Sequence, residues 1–185
     1  AGKLVIEVID SCNGYTQTQR MILKIIYLDG AIVRSDSMQS TWESYDGKVM
    51  KFSNHVYLNG VSKELFEGKA LIRNNKLFIN FNLPDNEEVI VKDTVIFPSE
   101  HLVELINSAK RGDFIFRKRI YDGTGPDGFY DAVAVINTKV KEIKINKNIH
   151  KELHNTESWW ANLAFFSVKL PKGTPDYEVG IRLHD

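Results

Sequence analysis

Three two-residue turn pairs divide the first 80 residues of the sequence into segments of similar length. The pairs are Asp29-Gly30, Asp46-Gly47 and Asn59-Gly60. Residues of these types accept the positive φ angles that tight β-hairpin turns need. Apolar and polar residues alternate between and after the turns, in Gln19–Leu28, Val49–Leu58 and Lys76–Asn82. A period of two between hairpin turns predicts an antiparallel meander with one apolar face on each strand.

One helix is predicted after these strands. Ser99 suits its N-cap, because a serine oxygen can accept a hydrogen bond from a free backbone N–H in the first turn. An apolar stripe follows at helical spacing, made of Leu102, Leu105, Ile106 and Ala109. Gly112 favours a helix end after Arg111. We therefore expect a helix at about residues 99–111 that caps one end or one face of the sheet.

Further strands are predicted downstream, at Phe114–Tyr121, Phe129–Asn137, Ser158–Leu170 and Glu178–Leu183. Apolar residues occupy both faces of Ser158–Leu170, which predicts a strand buried on both sides. Trp159 and Trp160 point to its two opposite faces. A strongly curved antiparallel sheet would supply material on both sides of such a strand. The fold class is therefore predicted as mainly β, in a single domain over residues 1–185.

Composition excludes several classes of protein. The sequence has 24 Lys and Arg against 24 Asp and Glu, a formal net charge of zero. General nucleic-acid binding needs a basic surplus and is not expected. The hydrophobic fraction of 43% is enough for a core, and no apolar run approaches the length of a membrane-spanning helix. The first residues lack the features of a secretory signal, so an exported protein with this sequence is expected to be a trimmed chain.

Three groups of residues match parts of catalytic or binding motifs without the context that the chemistry needs. The glycines of Gly123–Gly128 match GxGxxG, but a strand follows them instead of the helix that would bind a phosphate. His150 and His154 have a helical metal-ligand spacing, yet their sequence HKELH differs from HExxH. The Ser-Glu-His run at 99–101 cannot form a triad, because adjacent helix residues point in different directions. We predict a β-turn at the glycines, and no catalytic residue, metal or cofactor.

The remaining charged and sulfur-containing groups are assigned to structure or contacts. Asp122, Asp127 and Asp131 cluster without the register of an EF-hand, so a calcium site is not predicted. The lysine-rich stretch Lys139–Lys151 is interpreted as a solvated strand and loop, with a contact patch for acidic head groups or an acidic partner as the alternative. Cys12 is the only cysteine and is expected to be a buried, inert thiol.

An ordered series of short motifs covers the chain from about Ser11 to Leu183. The most specific pair is Trp-Glu-x-x-Asp-Gly at 42–47 and Phe-Pro-x-x-His at 97–101, on the predicted helix. The other members are Ser11–Thr16, Tyr57–Gly60, Phe66–Ala70, Tyr121–Gly123, Tyr177–Val179 and Arg182–Leu183. This series resembles the EipB family, the cell envelope integrity proteins of alphaproteobacteria.

The resemblance implies a periplasmic, non-enzymatic protein with a spiral-like, broken β-barrel into which helices are set. Such a fold is similar to the LolA and LolB lipoprotein carriers and to the sensor domain of RseB. The family is linked functionally to a periplasmic tetratricopeptide-repeat protein. It also has a disulfide, whose first cysteine corresponds to Cys12 and whose second has no counterpart in this sequence.

Two binding functions are therefore considered, with a hydrolase or metalloenzyme as a less favoured third. In the first, a lipid, lipoprotein or envelope protein binds in or on a curved sheet. The candidate groove residues, each of which could instead be ordinary core, are Trp42, Tyr57, Phe66, Phe78, Phe114, Trp159 and Trp160. One of the two adjacent tryptophans is expected to face a solvent-connected apolar groove. In the second, the chain is a pure interaction module that docks on a tetratricopeptide-repeat protein through edge strands and Lys139–Lys151.

Overall fold

A computed structural model describes residues 1–137, 156–169 and 173–185. The lysine-rich stretch Lys139–Lys151 and the pair His150 and His154 lie outside the described residues. The chain divides into two compact units. Unit 1 contains Ala1–Ser99 and Tyr121–Gly128, and unit 2 contains Glu100–Ile120 and Phe129–Asp185. That the two behave as one domain stays a prediction.

Unit 1 holds a seven-stranded antiparallel sheet in which every strand pairs with its neighbours in the chain. The predicted meander is therefore confirmed. Turns with positive φ join its strands at Gly30, Gly47 and Gly60, as the turn pairs predict. The strands are β1 (Gly2–Asp10), β2 (Gly14–Ile26), β3 (Ile32–Ser44), β4 (Val49–Leu58), β5 (Val61–Arg73), β6 (Lys76–Leu83) and β7 (Glu87–Val91).

One face of strands β3 to β6 forms the core of unit 1. The pairing register places Glu43, Met50, Ala70 and Ile79 in one row across these strands. All four are buried, as are Phe52 and Phe81 in the next row. The alternation predicted for Val49–Leu58 and Lys76–Asn82 therefore does mark the buried face of those strands.

The alternation in Gln19–Leu28 has a different outcome. Met21 and Ile25, on its apolar face, are exposed, and every residue of the neighbouring strand β1 is exposed as well. The face of β2 that carries Met21 and Ile25 continues the core face of β3 and β4, as the strand register shows. Sequence periodicity reveals which side chains share a face, but it carries no information on what covers that face.

The helix α1 (Pro98–Arg111) confirms the predicted element but changes its start and its buried stripe. Ser99 is the second helical residue, so it is not the N-cap. The carboxylate of the buried Glu43 accepts a hydrogen bond from the Ser99 N–H at 2.9 Å, which satisfies a donor in the first turn. Leu102 is exposed, and the buried residues are His101, Leu105, Ser108 and Ala109.

Unit 2 holds a four-stranded antiparallel sheet, in the order β11-β10-β9-β8. Its strands are β8 (Ile115–Tyr121), β9 (Phe129–Ile136), β10 (Ser158–Ser167) and β11 (Tyr177–His184). The prediction that the 158–170 strand is buried on both sides is wrong. Burial alternates along β10, because Trp159, Ala161, Leu163 and Phe165 are buried whereas Trp160 and Asn162 are exposed.

The glycine-rich stretch between β8 and β9 is a turn, as predicted, and the strand β9 follows it. Its Asp122 side chain accepts hydrogen bonds from both the N–H and the hydroxyl of Thr124, at 2.9 and 2.7 Å. Gly123 has a φ of 77°, and an added Cβ would lie 2.8 Å from the side chain of Phe52. Close packing and backbone shape therefore explain the glycine without a phosphate site.

Candidate functional site

The outer face of the unit 2 sheet, opposite the face that carries Trp159, bears an open depression of about 550 Å³. It forms where one residue of each of two cross-strand pairs is small. Gly180 pairs with Asn162, and Ala164 pairs with Glu178. The depression is lined by Arg117, Val133, Val135, Asn162, Leu163, Ala164, Phe166, Glu178, Val179 and Gly180.

The lining of this depression is amphipathic. Val133, Val135 and Phe166 supply apolar side chains, and the volume falls within the range of sites for small organic ligands, although this depression is open to solvent. Arg117 adds one positive charge to the lining, and Glu178 adds one negative charge. A ligand with an apolar chain and a polar or charged end fits this combination.

An ion pair on β8 and β9 neighbours the depression. Arg119 contacts both carboxylate oxygens of Asp131, at 2.8 and 3.0 Å. These hydrogen bonds lower the pKa of Asp131, and the nearby charge of Arg117 lowers it further. The Asp131 carboxylate is therefore ionised at neutral pH and is directed to Arg119 by a bidentate geometry.

The two adjacent tryptophans occupy different environments. Trp159 is 5% exposed and lies on the core face of the sheet, whereas Trp160 is 43% exposed. Trp160 pairs with Arg182 and lies on the same face as Asn162 and Ala164, two residues along β10. Its indole therefore lies on the face that holds the depression, but it is not one of the lining residues.

The other candidate aromatic residues in unit 1 do not share one face of their sheet. There are four of them, and the strand register places Trp42, Tyr57 and Phe78 on the face opposite the core face that carries Phe66. Phe114, in unit 2, is 67% exposed and precedes β8.

Three of the four unit 1 candidates contact a neighbouring side chain. The Lys51 ammonium lies 5.4 Å from the centre of the Trp42 ring. Tyr57 stacks on His55, with ring centres 4.0 Å apart. Phe66 packs edge-to-face on Phe81, with ring centres 6.1 Å apart. A groove lined by all seven predicted residues therefore stays a prediction.

Sequence reasoning missed the residues that line the depression because it searched for large aromatic side chains. The depression depends on the small residues Gly180 and Ala164 and on the two valines of β9, Val133 and Val135. The alternation of the two valines in β9 is visible in the sequence. The pairing that sets Gly180 beside Asn162 is not visible, since it requires the register of β10 and β11.

Cys12 is exposed, contrary to the expectation of a buried thiol. It lies in the turn between β1 and β2, with a φ of 55°. The reason is local, because Cys12 is a turn residue and the strand that precedes it is exposed along its whole length. Beside it, the Tyr45 hydroxyl donates a hydrogen bond to Asp10, which raises the pKa of Tyr45 to about 12.

Within residues 1–137, 156–169 and 173–185, no cluster of three His, Cys, Asp or Glu side chains could hold a metal ion. No helix in the part of the chain that the structure describes is long and apolar enough to cross a membrane.

Comparison with known proteins identifies relatives of the whole chain. The family model described as EipB-like matches residues 1–185. A cell envelope integrity protein, EipB, from Brucella abortus is 23% identical over 186 residues, which cover 99% of this chain. The chain spans 66% of the length of that relative.

A solved structure supports the fold. The crystal structure of a beta-barrel-like protein with a domain of unknown function, also from Brucella abortus, has a TM-score of 0.84 and 22% identity. The similarity covers 99% of this chain and 76% of the other. Because the family model matches the entire sequence, this chain belongs to the EipB-like family.

Proposed function

We propose that this chain maintains the integrity of the cell envelope, in the periplasm, by binding an acyl-bearing envelope molecule and without catalysis. The envelope role is supported by family membership and by the name of the Brucella abortus relative. The acyl ligand is supported by one observation, the open apolar depression on the outer face of β8 to β11 with Arg117 in its lining.

The size of the depression suits an acyl chain, and Arg117 offers a partner for an anionic end, with the carboxylate of Glu178 also in the lining. A volume of about 550 Å³ lies in the usual range of small-molecule sites. The apolar chain would cover the two valines of β9 and Phe166, and removal of this apolar surface from water would drive binding. Arg117 would pair with a carboxylate or phosphate, because a guanidinium matches both groups in geometry and charge.

Binding of a fluorescent fatty acid tests this proposal directly. We expect cis-parinaric acid to show saturable fluorescence with the wild-type chain. Ala164→Phe should fill the depression and abolish the signal, with little loss of stability because Ala164 is only half-buried. Asn80→Phe, which adds the same ring at an exposed position in β6, is the matched control and should bind as the wild type does.

The charged end of the ligand is tested with a second pair of measurements. Arg117→Ala should weaken binding of parinaric acid but not of its uncharged methyl ester. Native mass spectrometry of the purified chain would show whether lipid accompanies it. Equal binding by the wild type and Ala164→Phe would refute the depression as the site. The absence of any lipid binding would favour the alternative of a pure protein-interaction module.

A further inference from the structure

The edge strand β1 exposes apolar side chains on both faces. Leu4, Val5, Ile6, Val8 and Ile9 are between 50% and 61% exposed. In the described residues β1 pairs only with β2, so its other edge carries no ladder of hydrogen bonds. Long apolar edges without a cover are sites at which another strand adds to a sheet.

The hydrogen bonds to β2 show which residues face the free edge. At one end of the hairpin, Ala1 and Lys24 exchange two hydrogen bonds, at 2.8 and 3.1 Å. At the other end, the Ser11 N–H donates to the Gly14 carbonyl. Because such pairs alternate along an antiparallel ladder, the odd-numbered residues of β1 bond to β2. The N–H and C=O groups of Leu4, Ile6 and Val8 therefore point outward.

We propose that this edge pairs with the same edge of a second copy of the chain, antiparallel about a two-fold axis at Val5. In this register Leu4 of one copy lies opposite Ile6 of the other, and their outward N–H and C=O groups bond in both directions. A self-complementary patch of this kind is what a two-fold dimer requires.

Several registers would pair the outward N–H and C=O groups of the two β1 strands. Charge complementarity favours the register centred on Val5. Lys3 and Glu7 lie on the same face of β1, two residues to either side of Val5. Rotation about Val5 sets Lys3 of each copy opposite Glu7 of the other, which gives two ion pairs. These are positions without direct hydrogen bonds, where the opposed side chains are closest. A two-fold axis at Glu7 would instead oppose like charges.

Contacts within the described part of the chain do not already occupy the charges of Lys3 and Glu7. Within the described part of the chain, Lys3 and Glu7 form no ion pair with each other or with other residues. In the β1–β2 ladder, Lys3 pairs with Ile22 and Glu7 pairs with Thr18. The two charges therefore have uncharged partners in their own sheet and opposite charges across the proposed interface.

Charge reversal tests the register by sedimentation velocity over a range of concentrations. We expect the wild-type chain to reach twice the mass of one chain as concentration rises. Lys3→Glu or Glu7→Lys alone should weaken self-association by about tenfold, because two attractive pairs become repulsive. The double variant K3E/E7K should restore it. A mixture of the two single variants should form heterodimers, since both pairs are then complementary.

A backbone variant separates strand pairing from other contacts. Ile6→Pro removes an outward N–H but no donor of the β1–β2 ladder, so it should abolish the dimer while circular dichroism stays unchanged. The proposal would be overturned by a wild-type chain that keeps the mass of one chain at all concentrations. A dimer that forms equally well in both single charge variants would also overturn it.

Discussion

The adjacent residues Trp159 and Trp160 offer a test of the unit 2 sheet by truncation to alanine. Trp159 is 5% exposed and Trp160 is 43% exposed. The difference is about two-fifths of a tryptophan surface, or roughly 100 Å², which corresponds to about 2.5 kcal/mol at ~25 cal/mol per Å². We expect Trp159→Ala to lower the free energy of unfolding by about 3–5 kcal/mol, as for a large core deletion. Trp160→Ala should cost about 1–2 kcal/mol.

Urea unfolding followed by circular dichroism measures this difference. The slope of free energy against denaturant should be unchanged, so that the shift in midpoint reports stability alone. Thermal midpoints should fall by about 2–4 °C for each kcal/mol lost. Equal losses for the two variants would contradict the alternation of burial along β10. If Trp160→Ala also weakens the binding of parinaric acid, the indole contributes to the face that holds the proposed site.

Three further predictions concern the helix α1 and its first turn. Leu105→Asp should prevent stable folding, because a buried unpaired carboxylate costs several kcal/mol, whereas Leu102→Asp should be tolerated at its exposed position; thermal denaturation distinguishes them. Burial lowers the pKa of His101 to about 4, so the unfolded chain binds a proton more readily. The stability due to neutral His101, about 3 kcal/mol, should be complete above pH 6.5 and be lost as the pH falls towards 4. His101→Leu should remove this dependence in urea titrations at several pH values. Glu43→Ala should cost about 1–3 kcal/mol in the same assay, since the N–H of Ser99 loses its acceptor.

The sequence predicted the parts of the fold that depend on local rules. Turn pairs such as Asn59-Gly60 and the alternation of Val49–Leu58 identify strands and their order, because backbone shape and side-chain period are local properties. The helix was found for the same reason. Its cap was not, since the acceptor for the Ser99 N–H comes from Glu43, 56 residues away in the sequence.

The candidate site depends on long-range pairing, which the sequence does not state. The exposure of Trp160 and the burial of Trp159 follow from which face of β10 meets the core. The depression requires Gly180 to lie beside Asn162, and this follows only from the register of β10 and β11. A resemblance to a family indicated the class of fold, but it did not indicate the residues that line the depression.

The meander of unit 1 has a consequence for how the sheet assembles. Among the described residues, each of its seven strands pairs only with strands next to it in the chain, so every pairing closes a short loop. Loop-closure entropy is therefore small at each step, and contact order within the sheet is low for a β protein. The sheet can grow from a single hairpin by addition of one strand at a time. We expect this growth to begin at β4 and β5, whose strands carry the buried residues Met50, Phe52 and Ala70, and to reach the exposed strand β1 last.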